Sequence, residues 1–296
     1  MKKIIFDCDN TFGVRNCDVD DGLALLYLLG DPDAQLCGIT TTYGNSRLDV
    51  VYETTREMIK DLGRADIPVK RGAASKSERA SEAAVYLAEM AAKYPGEISV
   101  LATGSLTNME GAYETDSRFF ANIKEIVLMG GITKPLIFEK KQMDELNFSC
   151  DPEASCRVLT EGRNVSVITG NNCLKVLFTK EEYRRRLFAG SSPTGAYIRE
   201  KTDDWFHYNE EDYGIKGFYN WDVTAAVYLM HPELFRDCWR NFTVRAADLQ
   251  TGLLREDRQG RSSLNLPEIM EEETFKENIY STWMRVPMER RNKSEI

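Results

Sequence analysis

Short, continuous apolar runs alternate along the chain with longer stretches in which apolar residues recur at helical spacing. Short apolar runs bounded by turn residues are typical of strands buried on both faces, and the helical period is typical of helices packed on one side. The pattern predicts strands in KIIFDC, AQLCGITTTYGN, IPVKRG, ISVLATG, IKEIVLMGG and NVSVITG. It predicts intervening helices in DDGLALLYLLGD, LDVVYETTREMIKDLG, SEAAVYLAEMAAKYPG and DPEASCRVLTEG.

The last third of the chain has a different pattern. It is mainly helical from EEYRRRLFAG through WDVTAAVYLMHPELF, then predicts a β-hairpin or two short strands in FTVRAADLQTGLLREDRQGRSSLNL and an amphipathic helix in EETFKENIYSTWMRV. Alternating strands and helices indicate a mostly parallel sheet with helices on both faces. The chain contains no linker, low-complexity tract or internal repeat. We therefore predict an α/β fold with one open sheet, C-terminal helical and short β additions, and a single domain over residues 1–296.

Polar clusters follow several predicted strands at their carboxyl ends. They are DCDN with DVDD, TYGN, ATGSLTN and DELNFSCDPE. In open α/β sheets, ligands bind outside the carboxyl ends of the strands. Turns are polar in most proteins, but all of these clusters converge on one edge of the sheet. The sequence therefore predicts a ligand site at that edge.

The net charge and the cysteine content indicate which classes of partner and which compartment to expect. The chain of 296 residues is 42% hydrophobic, which is typical of a globular protein, and carries a net charge of −9. An acidic chain repels nucleic acids and anionic lipids, so we expect a small-molecule partner, no nucleic acid and no membrane. The seven cysteines include no C-x-x-C pair, which indicates reduced thiols and a cytoplasmic protein. Only the tail ERRNKSEI is expected to be disordered.

The segment IIFDCDNTFG has two interpretations. A strand followed by Asp-x-Asp-x-Thr resembles the haloacid-dehalogenase-like phosphatases, with Asp7 as nucleophile and Asp9 as general acid. That family also has a later lysine and a late acidic pair at a strand end. After VSVITG this chain has Asn171 and Asn172 instead.

The other interpretation groups Asp9 with Asp20 and Asp21. Three ionised carboxylates stay close together only if something cancels their charge. A helix N-terminus offers some relief, and a hard dication such as Ca²⁺, which takes six to eight oxygen ligands, offers more. The alternative is that Asp20 or Asp21 only caps the predicted helix.

The longer segment IIFDCD…DVDDGLALLYLLG resembles the opening of the inosine–uridine-type nucleoside hydrolases, strand-D-x-D-P-G-x-D-D-A, with Asp7, Asp9, Asp20 and Asp21 at the acidic positions. Further blocks resemble that family in the same order: GITTTYGN, VLATGSLTN, IVLMGG with DELNFSCDPEAS, and NWDVTAAVY. The chain departs from the pattern in NTFGVRNCDV, which stands where the family has a short Pro-Gly turn. Residues of this insertion, among them Asn10, Arg15 and Asp18, could enter the site.

The resemblance implies a Ca²⁺-dependent hydrolase that cleaves the N-glycosidic bond of ribonucleosides to free base and ribose. It implies that the Ca²⁺ ligands are Asp9, Asp21, Asp222 and the carbonyl of Thr103, with Asp9 as the base that activates water. The ribose contacts that it implies are Asp20, Asn45, Glu145 and Asn147. It also implies a homodimer or homotetramer and a role in purine salvage.

Aromatic residues are the candidates for contacts with the nucleobase of the substrate. Trp221 stands where purine-preferring members have Trp and uridine-accepting members have His, so the resemblance implies a purine preference, with inosine as an example. Stacking on Trp221, with Trp205, Tyr208 or Tyr213 opposite, would raise the basicity of the bound base. Each of these side chains could instead belong to the packed core or a helix surface.

The chain has two histidines. His207, in DDWFHYNEEDYG, is a candidate general acid for the leaving base, with a packing role as the alternative, and His231 is interpreted as structural. The insertion also favours a second function, a non-catalytic ribose- or nucleoside-binding protein of the same fold. The phosphatase that uses Asp7 and Asp9 remains a third.

Overall fold

The computed structural model describes residues 1–188 and 192–288 and is built around an eight-stranded sheet. In chain order the strands are β1 (Lys2–Cys8), β2 (Ala34–Thr41), β3 (Val69–Lys70), β4 (Ile98–Ala102), β5 (Glu125–Met129), β6 (Leu136–Ile137), β7 (Gln142–Met143), β8 (Val165–Ile168), β9 (Phe235–Arg236), β10 (Trp239–Phe242), β11 (Ser262–Asn265) and β12 (Glu268–Ile269). The tail that was expected to be disordered lies outside the described residues.

The large sheet has the strand order β10-β11-β8-β5-β4-β1-β2-β3. All of its pairings are parallel except that of β10 with β11, in which Trp239 faces Asn265 and Phe242 faces Ser262. The mostly parallel sheet is confirmed. Of the late hairpin or two short strands predicted in 242–266, β11 lies inside that segment, whereas its antiparallel partner β10 lies before it and only reaches Phe242. The β6–β7 hairpin forms a separate two-stranded sheet, and β9 and β12, which are distant in the chain, pair to form another.

Helices cover both faces of the sheet. They are α1 (Asp20–Gly30), α2 (Leu48–Asp61), α3 (Glu82–Lys93), α4 (Thr107–Thr115), α5 (Phe119–Asn122), α6 (Asn147–Cys150), α7 (Pro152–Glu161), α8 (Gly170–Cys173), α9 (Lys180–Phe188), α10 (Pro193–Tyr208), α11 (Trp221–Met230), α12 (Ala246–Leu249) and α13 (Glu272–Trp283). A π-helical turn, Asn209–Tyr213, continues α10. None of the described helices has both the length and the apolar surface to cross a membrane.

The buried apolar side chains form two clusters, and strand β1 contributes to both of them. Successive side chains of a strand point to opposite faces. Ile4, Phe6 and Cys8 accordingly belong to one buried apolar cluster, and Ile5 belongs to the other. Because both faces are buried, the strand is a continuous apolar run and does not alternate with polar residues.

Helices α1 and α11 pack against each other and both begin at the carboxyl edge of the sheet. Helix α1 is buried along nearly its whole length, which accounts for its apolar sequence on all sides. Its N-terminus carries Asp20 and Asp21, and the N-terminus of α11 carries Trp221 and Asp222. The fold therefore brings two distant acidic segments to one edge.

Candidate active site

Asp7 lies at the end of β1 and is fully buried. Its Oδ1 accepts hydrogen bonds from the Thr40 hydroxyl at 2.5 Å and from Asn108 Nδ2 at 2.8 Å, while Oδ2 has no partner among the described residues. Burial raises the pKa of Asp7 to about 7. Asp7 is not among the residues that line the cavity described below. The structure therefore does not present it as a phosphatase nucleophile.

Asp9 follows β1 and lies under the turn formed by Gly44 and Asn45. The backbone N–H of Asn45 donates to Asp9 Oδ2 at 2.6 Å, and Asn45 Nδ2 lies 3.3 Å from Oδ1. A Cβ atom added to Gly44 would lie 1.9 Å from Oδ2, so only glycine allows this approach. Burial raises the pKa of Asp9 to about 6, and the Asn45 hydrogen bond opposes the rise.

Asp20 and Asp21, at the start of α1, have different partners. Asp21 Oδ1 accepts a hydrogen bond from the Thr103 hydroxyl at 2.6 Å, and its carboxyl group is also hydrogen-bonded to that of Asp9. Asp20 Oδ2 accepts the backbone N–H of Asp222 at 2.9 Å. Asp20 thus satisfies an N-terminal N–H of α11, whereas the N-cap residue of its own helix is Val19, which makes no side-chain cap hydrogen bond.

Three acids in this region have strongly perturbed titration: Asp21 and Asp222, which are buried, and Asp18, which is half-buried. Burial, followed by repulsion from neighbouring aspartates, raises the pKa of Asp18, Asp21 and Asp222 well above the usual range. Among the ion pairs of the described residues, none involves these three groups, Asp9 or Asp20. These carboxylates repel one another and have no cationic side chain beside them. A bound dication would reduce that repulsion.

The donor atoms suit a hard cation, but their arrangement is not a closed metal shell. The oxygens come from Asp9, Asp21, Asp222 and the Thr103 carbonyl, and Ca²⁺ prefers all-oxygen ligands. Within residues 1–188 and 192–288, no three Asp, Glu, His or Cys side chains lie close enough together to hold a metal ion. The carboxyls of Asp9 and Asp21 are instead hydrogen-bonded to each other, and the Thr103 carbonyl accepts Asn147 Nδ2 at 2.8 Å.

Glu145 and Asn147 organise the loop that follows β7. The Glu145 carboxylate accepts backbone N–H groups from Gly131 at 3.0 Å, Phe148 at 2.7 Å and Ser149 at 3.0 Å. Asn147 donates to the carbonyls of Thr103 and of Met129, the latter at 3.0 Å. These two side chains tie the ends of β4 and β5 to α6.

A cavity of about 250 Å³ opens at the carboxyl edge of the sheet. Its residues are Asn16, Asp18, Asp20, Asn45, Thr103, Met129, Gly131, Ile132, Leu136, Met143, Asp144, Glu145, Leu146, Asn147, Gly170, Trp205, Tyr208, Tyr213, Trp221 and Asp222. The polar side chains come mainly from strand ends, and the aromatic ones come from α10, the π-helical turn and α11. The Trp205 and Tyr208 rings stack with centroids 5.2 Å apart and 10° between planes, and Tyr219 packs on Trp221 at 5.1 Å.

Most of the site residues predicted from the sequence meet here. Asp20, Asn45, Thr103, Glu145, Asn147, Trp205, Tyr208, Trp221 and Asp222 line the cavity. Asp9 and Asp21 are not on its surface, but each touches a residue that is. His207 is solvent-exposed on α10 and is not among the lining residues, so the structure does not bring it to the cavity. His231 lies at the far end of α11 and contacts Asp31.

The insertion and the β6–β7 hairpin supply residues that the motifs did not. Asp18 lines the cavity, as one of the three insertion residues considered, whereas Asn10 is buried beside Thr55 and Arg15 is exposed. Leu136 and Met143, from the hairpin, form part of the apolar wall. The apolar residues of the segments PLIF and QM, which lie between MGG and ELN in the sequence, could have indicated this wall.

Comparison with known proteins gives a consistent result. "Probable uridine nucleosidase 2" of Arabidopsis thaliana is 26% identical over 279 residues, which cover 84% of this chain and 82% of that protein. A plant nucleoside hydrolase structure superimposes with a TM-score of 0.84 at 22% identity, covering 96% of this chain and 99% of the other. A purine-preferring ribonucleoside hydrolase from Gardnerella vaginalis has a TM-score of 0.81 at 22% identity, with the same coverage.

The sequence profile described as "Inosine-uridine preferring nucleoside hydrolase" matches residues 4–277, which is nearly the whole chain. The structural likeness shows the same α/β fold. The chain therefore belongs to the inosine-uridine preferring nucleoside hydrolase family and is a hydrolase of N-glycosyl bonds.

Proposed function

We propose that this protein hydrolyses purine ribonucleosides such as inosine to free base and ribose, and that it depends on Ca²⁺. The observation that carries this proposal is the composition of the cavity described above. Its lining combines hydrogen-bonding residues, among them Asp20, Asn45 and Asn147, with the tryptophans Trp205 and Trp221. A sugar with several hydroxyls suits the hydrogen-bonding residues, and a flat heteroaromatic base suits the tryptophans.

The proposed Ca²⁺ ligands are Asp9, Asp21, Asp222 and the carbonyl of Thr103. When bound, the ion would polarise a water molecule and the ribose diol. Binding would also cancel the charge repulsion that raises the pKa of Asp21 and Asp222. The hydrogen bond between Asp9 and Asp21, and that of Asn147 to the Thr103 carbonyl, would have to open for these oxygens to serve as ligands.

Asp9 is the proposed general base. Burial raises the pKa of Asp9 to about 6, and a Ca²⁺ ion beside it would oppose this rise and favour the ionised carboxylate that a base requires. The backbone N–H of Asn45 fixes the orientation of its carboxylate. Base assistance of this kind is typically worth about 10²–10⁴-fold in rate.

The remaining polar residues are proposed to position ribose. Asp20 and Asn45 lie on the cavity surface and are held by hydrogen bonds to α11 and to Asp9. The carboxylates around the sugar would also favour positive charge on the ribosyl ring as the glycosidic bond breaks. Glu145 and Asn147 complete this group, with Glu145 acting mainly through the backbone it holds.

The purine preference rests on Trp221, with Trp205 and Tyr208 as further stacking groups. A stacked base with raised basicity takes its proton from solvent as it leaves, which requires no His207. The relatives carry names with both preferences, uridine nucleosidase in Arabidopsis thaliana and purine-preferring in Gardnerella vaginalis. The preference is therefore a matter for direct measurement.

The decisive experiment is the release of free ribose from inosine, guanosine, uridine and cytidine by chelator-treated protein, with and without added Ca²⁺. We expect turnover of inosine with Ca²⁺, loss on chelation, and loss of at least about 10²-fold in Asp9→Ala. Asp66→Ala, at an exposed aspartate, is the matched control and should retain full activity. Faster release from uridine than from inosine would refute the purine preference.

A non-catalytic nucleoside-binding protein would give a different result. It would bind inosine in calorimetry and release no ribose from any nucleoside. Phosphate release from a phosphomonoester with Mg²⁺, lost in Asp7→Asn, would support the phosphatase instead. The proposal also includes a single domain and a homodimer or homotetramer, which light scattering of the purified chain tests.

A further inference from the structure

The charged groups of the cavity all have one sign. Its ionisable lining residues, apart from tyrosines, are Asp18, Asp20, Asp144, Glu145 and Asp222, and the described lining includes no Lys, Arg or His. If Asp222 is assigned to the proposed metal site with Asp9 and Asp21, a dication leaves that group with at least one negative charge. Asp18, Asp20 and Asp144 bring further carboxyl groups to the cavity, and a cationic ligand would favour the ionised form of Asp18, whose pKa is raised by burial and by Asp20. The cavity is therefore electrostatically suited to a cationic ligand.

Two lysines of the β6–β7 hairpin, Lys140 and Lys141, bind partners outside the cavity. In the β6–β7 hairpin, Lys140 Nζ lies 2.8 Å from the Glu210 carbonyl and 2.7 Å from that of Glu211. Lys141 pairs with the Asp212 carboxylate and lies over the Tyr213 ring. Neither lysine is among the described lining residues. The hairpin therefore closes the cavity without placing an ammonium group in it.

The aromatic lining suits a cation as well. Trp205, Tyr208, Tyr213 and Trp221 all contribute to the cavity, and the faces of such rings attract positive charge. Burial raises the pKa of Tyr208 and Tyr213 above their ordinary value, which makes both phenols weaker proton donors. A leaving base that departs without accepting a proton therefore fits this wall better than one that requires a strong acid.

We propose that the preferred substrates are N-ribosides whose heteroaromatic base carries a permanent positive charge, such as N-alkylated purine or pyridinium ribosides. This inference rests on the proposed N-riboside hydrolysis and concerns its substrate class. The C1′–N bond breaks, and its electron pair remains on the base nitrogen and cancels the positive charge. Water forms the new C1′–O bond and gives its proton to Asp9. The base leaves neutral, with no proton transferred to it.

Asp18 is the residue that this chain adds for such a base. It comes from the insertion NTFGVRNCDV and lines the cavity, and its Oδ1 accepts the backbone N–H of Asp20 at 3.4 Å. Its Oδ1 also accepts the backbone N–H of Val19 at 2.7 Å, which fixes its position at the start of α1. The insertion therefore places one more carboxylate at the cavity surface.

The test uses the full Ca²⁺-loaded chain and pairs of compounds that differ in charge. Ribose release is measured from 7-methylguanosine and guanosine, corrected for spontaneous hydrolysis. Because cationic ribosides are intrinsically more labile, inhibition of hydrolysis by the N-methylnicotinamide cation is compared with inhibition by neutral nicotinamide. We expect kcat/KM at least about tenfold higher for 7-methylguanosine, and the cation to inhibit at least about tenfold more strongly than its neutral counterpart.

Variants of Asp18 separate charge recognition from other roles. In Asp18→Asn we expect the charged-to-neutral ratio, for both substrates and inhibitors, to fall about fivefold, while Asp66→Asn, which removes an exposed charge, leaves it unchanged. Equal inhibition by cation and neutral compound would overturn the inference. So would a larger loss on guanosine than on 7-methylguanosine in Asp18→Asn, because that result would make Asp18 a proton donor to the base.

Failure of the general proposal looks different. Hydrolysis of guanosine and inosine with no preference for the charged riboside overturns only this inference. Hydrolysis of 7-methylguanosine without turnover of neutral nucleosides supports it and overturns the proposed preference for ordinary purine nucleosides. No ribose release from any of them overturns both.

Discussion

Asp20 Oδ2 accepts the backbone N–H of Asp222 at 2.9 Å, across 202 residues of sequence. The bond joins the N-termini of α1 and α11, and a carboxylate at a helix N-terminus is stabilised both by the unpaired N–H groups and by the helix dipole. These two helices carry three of the candidate metal and ribose ligands, Asp20, Asp21 and Asp222, and one of the three holds the helices together. Asp20 serves both the stability of the fold and the geometry of the site.

Substitutions at Asp20 should separate these two contributions. Asp20→Ala removes the acceptor, and we expect it to lower the free energy of unfolding by about 1 kcal/mol, as loss of an N-cap does. Asp20→Asn keeps an acceptor oxygen and should stay within about 0.5 kcal/mol of the parent. Urea unfolding of both variants measures this difference. Equal destabilisation by Asn and Ala would show that the charge of Asp20 matters and the hydrogen bond does not.

Gly44 should be required for activity because of its distance from Asp9. A Cβ atom there would lie 1.9 Å from Asp9 Oδ2, far inside contact distance, so Gly44→Ala must displace either the turn or the carboxylate. We expect ribose release to fall at least about 10²-fold, since small misplacements of reacting groups have effects of that size. The measurement is kcat/KM, with thermal unfolding to confirm that the variant is folded.

Gly63 provides a demanding control for this variant. It has a positive φ of 65°, and a Cβ atom added there would meet nothing within 4 Å. Gly63→Ala should therefore cost about 1 kcal/mol of stability through backbone strain and leave kcat/KM unchanged. If Gly44→Ala were as active as Gly63→Ala, the position of Asp9 under the Gly44 turn would not matter for the reaction.

The sheet was predictable because its strands are buried on both faces and are therefore continuous apolar runs. The grouping of Asp9 with Asp20 and Asp21 was predictable because carboxyl ends of parallel strands and the following helices meet at one edge. Asp222 was assigned to the same site only through the resemblance of NWDVTAAVY to the nucleoside hydrolases. The β6–β7 hairpin was not predicted because its strands, Leu136–Ile137 and Gln142–Met143, are two residues each and show no period. The equally short β3 was predicted because it pairs with the large sheet and lies in the segment IPVKRG, whereas β6 and β7 pair only with each other.

The prediction of His207 as a general acid failed for a different reason, and helical geometry could have excluded it. Residues three or four apart share a face of a helix, and adjacent residues do not. Trp205 and Tyr208 are three apart and both line the cavity, so His207, between them on α10, points elsewhere and is exposed. The chemistry of imidazole suggested a role that the helix phase excludes.

The β6–β7 hairpin is held over the aromatic wall by lysine contacts to the π-helical turn. Lys140 bonds to the carbonyls of Glu210 and Glu211, and Lys141 pairs with Asp212. Lys140→Met keeps the aliphatic stem and removes the bonds, so we expect KM for the nucleoside to rise about three- to tenfold with a smaller change in kcat. Steady-state kinetics measure the split.

Lys134 supplies the control for the hairpin. It is exposed on the same segment, and Lys134→Met removes the same charge from the protein. It should leave KM unchanged, and the effect of Lys140→Met should persist at high salt because its partners are carbonyl groups. The Lys141–Asp212 pair is exposed and should lose most of its contribution at high ionic strength. Equal KM values for Lys134→Met and Lys140→Met would contradict a positioning role for the hairpin contacts.

His231 links the C-terminal ends of the same two helices whose N-termini form the site. Its Nε2 lies 2.8 Å from Asp31 Oδ2, next to the end of α1, and its Nδ1 lies 2.8 Å from Glu233 Oε1. Burial lowers the pKa of His231, but hydrogen bonds and charge from Glu233 and Asp31 outweigh it, so the pKa is raised above 6.5.

Because the folded-state pKa of His231 is higher than the unfolded one, this contribution to stability is complete below about pH 6.5 and is lost as the pH rises through the folded-state pKa. Buried acids with raised pKa, such as Asp7, also lower the free energy of unfolding as the pH rises, and they do so equally in both proteins. We therefore expect the fall between pH 6 and pH 9 to be larger in the parent than in His231→Gln, by up to about 1 kcal/mol. A parent protein whose stability follows the same pH profile as His231→Gln would show that the imidazolium is not bound by Asp31 and Glu233.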